Sequence, residues 1–144
     1  MNPLIKSILS TNAGAGIAVL RITTGLTFMA HGSQKLFGAF GGPGLQGMAG
    51  WLESLGVTPG YLMAVLAGSA EFFGGLALVL GLLVRLASIP LIVAMLVAVF
   101  SVHLVNGFFI TANGFEYAFT LIMISVALLI SGAGPFSLDR KLSS

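Results

Sequence analysis

Residues 61–82 read YLMAVLAGSAEFFGGLALVLGL, an apolar stretch broken by a single charge, Glu71. An α-helix needs about 20 mainly apolar residues to cover roughly 30 Å of hydrocarbon, and this stretch has that length. Three others match it, from about Ala13 to Leu36, Leu86 to Val105 and Phe115 to Ser131. The expectation is an all-α membrane protein, a single domain over residues 1–144 built as a four-transmembrane-helix bundle. Composition agrees: with 57% hydrophobic and 7% charged residues, the chain has too few polar groups to coat a water-soluble globule. Lys6 precedes an apolar stretch as in a signal peptide, but no small-residue cleavage site follows, so a retained first span is expected.

The connections carry their own signals. Between the first and second spans, Phe37 to Gly60 is rich in glycine and contains Pro43, Trp51 and Pro59. Leu45, Met48, Leu52 and Leu55 recur within it at helical spacing, and Trp51 favours the headgroup layer, which predicts a short interfacial helix. A tight turn is expected at Gly81 to Arg85, further turns at Asn106-Gly107 and Asn113-Gly114, and a stop at Gly132, Gly134 and Pro135 ahead of a short polar tail. Lys6, Arg85, Arg140 and Lys141 fall on one side of this topology, against Lys35 alone on the other. Both termini are therefore expected in the cytoplasm, with the glycine-rich loop outside.

Several function classes drop out early. The net charge is only +2, with no basic run, so a nucleic-acid partner has nothing to hold. The chain contains no cysteine, which removes thiol nucleophiles, thiolate metal sites and disulfide exchange. No CxxCH, HExxH, GxGxxG or P-loop pattern is present.

What remains is a set of ionisable groups in a setting that penalises them. A charge at the bilayer centre costs a few kcal/mol, so such groups face the bundle interior and have partners. Counted along their helices, Arg21 and Glu71 fall at similar depths, and an ion pair between the first and second spans is expected. Arg21 shares a helical face with Gly25, Phe28, Gly32 and Lys35, and Glu71 shares one with Ala64, Ala67, Gly68 and Gly75. Small residues of this kind let membrane helices approach closely.

A second group gathers toward the outer ends: His31 and Lys35 on the first span, His103 and Asn106 on the third, Asn113 and Glu116 on the fourth. In a compact bundle they line one pocket. Each has a plainer role as well. The Arg–Glu pair can be a structural clamp, each histidine can bind interfacial water, and Glu116 can charge the first turn of its helix. Together, the two histidines fit either ligation of a haem iron or metal with carboxylate help, or donation to the carbonyls of a quinone.

The strings Arg21-Ile-Thr-Thr-Gly-Leu26, His31-Gly-Ser-Gln-Lys-Leu-Phe37, Glu71-Phe-Phe-Gly-Gly-Leu76, Gly81-Leu-Leu-Val-Arg85, Gly114-Phe-Glu-Tyr117 and Gly134-Pro-Phe-Ser-Leu-Asp139, in this order, resemble the DoxX family of small bacterial membrane proteins over nearly the whole chain. The resemblance implies a four-helix inner-membrane protein that often carries a provisional oxidoreductase label. The family name is linked to the small membrane subunit of a thiosulfate:quinone oxidoreductase, and relatives to redox-stress and sulfur pathways. Arg21, His31, Lys35, Glu71 and Glu116 carry over by match. His103 belongs to none of the strings, which makes haem the weaker cofactor and leaves a quinone ahead of it.

The functional expectation is thus a redox-linked membrane protein binding a quinone-like molecule near the outer face. His31, Lys35 and Glu116 are the chemical groups, Arg21, Glu71, His103 and Asn106 line the pocket, and no metal is expected. The rival is a non-catalytic subunit that recruits a soluble redox enzyme. A homo-oligomer is compatible with either, and a solute path would require one.

Overall fold

The computed structural model describes residues 3–5 and 14–143, and among these every regular element is helical. Lys6 and the start of the first expected span at Ala13 lie outside the described residues. The helices are α1 (Gly14–Phe37), α2 (Gly44–Ser54), α3 (Gly60–Leu80), α4 (Val84–Ala98), α5 (Glu116–Ser131) and the short α6 (Leu138–Ser143). The Leu45–Leu55 periodicity thus corresponds to α2. The chain beyond α5 is no loose tail, because α6 follows it.

Two of these helices are long and apolar enough to cross a membrane. They are Gly60–Leu80 and the continuous helical stretch Val84–Asn106, with Glu116–Ser131 apolar but shorter. α1 has the length but carries Arg21, His31, Gln34 and Lys35. The outward faces are oily: Leu66, Phe73, Leu86, Ile89 and Phe119 are all exposed.

α1 packs most extensively on α3, through the small-residue stripes. The buried residues of α1 include Ala18, Arg21, Gly25, Phe28 and Gly32, and those of α3 include Ala64, Gly68, Glu71, Gly75 and Leu78. Both sets repeat every three or four positions, the spacing of one helical face. The backbones nearly touch: a Cβ on Gly32 would lie 2.4 Å from Phe72 N, and one on Gly75 would lie 2.6 Å from Gly25 O. Gly32→Ala is accordingly expected to destabilise the protein by about 2 kcal/mol, because the backbone of α3 must move aside. Melting in detergent checks this, with Gly16→Ala as the neutral comparison, since a Cβ there meets nothing within 4 Å.

α4 and α5 form the second pair, sharing a core of Leu91, Met95, Val99, Ala118, Leu121 and Leu128. Met48, Ala49 and Leu52 of α2 sit against Ala64 of α3. α4 does not end cleanly. It widens into a π-helical turn over Val99–His103 and tightens into a 3₁₀ turn over Leu104–Asn106, a local change of pitch that recurs at functional sites. The connection to α5 reverses through Gly107 (φ 76°) and Asn113 (φ 58°), the two turn signals expected there.

Candidate functional site

The two buried ionisable residues of the α1–α3 interface part company. Arg21 is fully buried, but not against Glu71. Its Nη1 donates to Leu78 O and, at 3.0 Å, to Val79 O; its Nε donates to Ala133 O at 3.1 Å and its Nη2 to Phe136 O at 2.9 Å. Leu78 and Val79 belong to the last turn of α3, whose carbonyls lack in-helix donors and carry the negative end of the helix dipole. One guanidinium thus ties α1 and α3 to the segment following α5.

Gly81 makes room for this knot: a Cβ on it would lie 2.4 Å from Ser137 Cβ and 2.7 Å from Arg21 Nη1. Asp139 finishes it from the other side, its two carboxylate oxygens accepting from Leu83 N (2.7 Å) and Val84 N (3.0 Å) at the start of α4.

Glu71 pairs instead with Lys35, at 2.5 Å, and its side chain is 3% exposed. The expected Arg21–Glu71 pair is therefore corrected, and register is the reason. With Gly25 against Gly75 and Gly32 against Phe72, Glu71 stands beside the upper turns of α1. Arg21 reaches Leu78, seven residues (71 to 78) or ~10 Å further along α3.

The Lys35–Glu71 pair lies on the wall of a cavity of about 210 Å³ between α1, α2, α3, α4 and α5. His31, His103 and Tyr117 bring further polar groups to it, while Phe28, Met48 and Met95 are among its apolar walls. The His31 and Tyr117 rings lie 6.0 Å apart and tilted by 51°. His31, Trp51 and Tyr117 are exposed residues and form its rim.

His103 is oriented by the loop beneath it. Its Nδ1 lies 2.9 Å from Asn113 O. A carbonyl oxygen only accepts, so Nδ1 carries the proton, and in the neutral ring Nε2 is left as the acceptor. Asn106 Nδ2 donates to the same carbonyl at 3.2 Å and to Val102 O at 3.2 Å.

The sequence-predicted residues therefore divide. His31, Lys35, Glu71 and His103 line one cavity. Asn106 and Glu116 hold the α4–α5 loop, Glu116 Oε2 accepting from Ile110 N at 3.2 Å, and neither is among the cavity's lining residues. Arg21 stands at the opposite end of the bundle.

Tyr117, Trp51 and Met48 are among the lining residues that were not assigned to the site from sequence. Tyr117 sits in the quoted string around Glu116, and helical phase could have found it: Tyr117, Ala118 and Leu121 turn inward together, whereas Glu116, two residues before buried Ala118, faces away. Trp51 and Met48 arrive on α2, whose docking over the cavity no local pattern announces.

Polar groups collected inside an oily helical bundle define a small membrane protein with an internal polar site. The chain belongs to the DoxX family, whose model matches residues 16–104. An uncharacterised membrane protein of Mycobacterium tuberculosis is 31% identical over 98% of this chain and 90% of its own length. An uncharacterised protein of Haemophilus influenzae is 34% identical, covering 87% of this chain and 89% of itself. CatD of Bacillus subtilis, provisionally labelled an oxidoreductase, is 27% identical over 86% of this chain and 84% of its own. No solved structure matches.

Proposed function

We propose that the chain crosses the bacterial inner membrane four times, with both ends cytoplasmic, and binds a small quinone-like carbonyl compound in the cavity beside Lys35 and Glu71. The 24 residues of α1 and 21 of α3 give lengths of about 36 and 32 Å, enough to span. The 16 residues of α5 give about 24 Å, and the loop before it, with exposed Phe109 and Ile110, extends the apolar height. Arg85, Arg140 and Lys141 then mark the cytoplasmic side. Lys35, the lone cation opposite, is already paired to Glu71. In this arrangement α2 lies in the outer headgroup layer with Trp51 at the cavity rim.

A single observation carries the ligand reading: a buried, paired carboxylate in a cavity whose other walls are mostly apolar. A structural ion pair needs no cavity beside it. The volume falls below the ~300–1,000 Å³ of drug-sized sites, so it fits one substituted ring, with any tail left in lipid. A quinone, when bound, supplies an acceptor of two electrons and two protons. The chain's own residues bind it and handle protons. His31 and Lys35 donate toward a carbonyl oxygen, Glu71 exchanges a proton, and His103 Nε2 accepts from a hydroxyl on the ring. Glu116 acts as a positioning residue through Ile110. The chain has no cysteine, and we assign delivery of electrons to a soluble redox partner. CatD's oxidoreductase label supports this direction.

The test is mass spectrometry of lipids extracted from purified protein. A quinone or related aromatic carbonyl should co-purify with the wild type and be lost from His31→Ala and Glu71→Gln. Its absence from the wild type, or its undiminished presence in both variants, counts against the proposal.

A further inference from the structure

At the end of the bundle away from the Lys35–Glu71 cavity, the α3–α4 turn, the start of α4 and the chain after Ser131 enclose an open groove of about 530 Å³. Leu83, Arg85, Leu86, Gly132, Asp139 and Arg140 are among its lining residues. The hydrogen-bonding capacity of the groove shows what it can take. The two carboxylate oxygens of Asp139, its one acid, each accept one backbone amide, from Leu83 N and Val84 N, which holds the carboxylate against the start of α4. The hydroxyls of Ser131, Ser137 and Ser143 donate to Ala127 O, Gly134 O and Arg140 O. Among the described residues, the guanidinium groups of Arg85 and Arg140 have neither a hydrogen bond nor an ion pair, although both line the groove.

The unspent donors of this groove are therefore cationic, and an anionic acceptor matches them more strongly than a neutral one. Arg85 is also given room. It lies along Gly132, where a Cβ would come within 3.2 Å of its Nε, and Gly132 holds φ 80°. Beside the arginines, Leu83 and Leu86 are 58% and 62% exposed, an apolar wall continuous with the helix surface that faces lipid. A ligand fitting both parts has an anionic head and a hydrocarbon body. The guanidinium fork matches the oxygens of a phosphate, and basic pockets at the inner face of membrane helices suit anionic head groups.

We infer that this groove binds the phosphate of an acidic phospholipid through Arg85 and Arg140, with acyl chain lying over Leu83 and Leu86. This site is separate from the ligand cavity and goes beyond the function proposed for it.

Native mass spectrometry of the full chain, released from mixed micelles of phosphatidylglycerol and phosphatidylcholine, tests the inference. The wild type should retain phosphatidylglycerol in preference, and phosphatidylglycerol should also raise its melting temperature more than phosphatidylcholine does. Arg85→Gln and Arg140→Gln should each weaken retention about fivefold, and the double variant about twenty-fivefold. Equal retention of the two lipids by the wild type would overturn the inference. So would a double variant that melts as the wild type does yet keeps its preference. Binding of inorganic phosphate by the two arginines with no preference between lipids would replace the lipid with a soluble anion, and equally overturn it.

Discussion

Arg21→Met should be the most damaging single substitution in the chain, lowering stability by about 4 kcal/mol and the melting temperature by roughly 10 °C or more. The guanidinium donates to four carbonyls from two separated parts of the chain, Leu78 and Val79 on one side and Ala133 and Phe136 on the other. Methionine fills most of the volume but leaves four acceptors without those donors around a fully buried side chain. Arg21→Lys keeps the charge and loses the fork, since one ammonium cannot span acceptors placed around a plane. It should fall between Met and the wild type. Thermal melting of detergent-purified variants by size-exclusion chromatography checks both. An Arg21→Met protein melting within 2 °C of the wild type, on the ~2–4 °C per kcal/mol scale of chains this size, would show that the knot contributes little.

The second large effect is expected at Lys35. Lys35→Met strips Glu71 of its ion-pair partner inside the bundle and should cost about 3 kcal/mol. Lys35→Met combined with Glu71→Gln should recover a substantial part of that loss, because the charge left without a partner is gone. A double-mutant cycle reads this coupling directly. Its sign also discriminates between pairings: if Glu71 were held by Arg21, the Lys35 and Glu71 substitutions would simply add. Strict additivity in the cycle would contradict the Lys35–Glu71 contact.

These two residues show where sequence reading succeeds and where it stops. The stripes Arg21/Gly25/Phe28/Gly32 and Ala64/Gly68/Glu71/Gly75 were visible as periodicities, and they are the buried faces of α1 and α3. Register was not visible, because a slide of seven residues leaves both stripes facing each other. Depth counted from helix ends placed Arg21 beside Glu71. Backbone contact between Gly32 and Phe72 places Lys35 there instead. The true partners of Arg21 are backbone carbonyls, and those carry no residue-type signature. Asp139 is similar: its acceptors' partners are amides at Leu83 and Val84, so it reads in sequence as one more polar residue after the last span.

At the cavity end of the bundle, His31, Lys35 and His103 were grouped by depth alone, and they line the same cavity. Glu116 shares their depth but not their direction, since its place on α5 is nearly opposite Ala118. Depth needs only a residue count, whereas direction needs the helix phase and the neighbouring helix together. α2 is the further case. Its periodicity predicted a helix, yet only its packing on Ala64 brings Trp51 and Met48 to the cavity.

Trp51 makes the central proposal directly measurable. It is the single tryptophan of the chain and it lines the cavity beside His31, Lys35 and Glu71, so a quinone ring entering there must quench its fluorescence. Titration of the purified protein with a short-tailed benzoquinone should give saturable quenching, shifted to higher concentration in Glu71→Gln. Quenching that rises linearly without saturation, and identically in the wild type and Glu71→Gln, would be collision within the micelle and would contradict a quinone site at the Lys35–Glu71 pair.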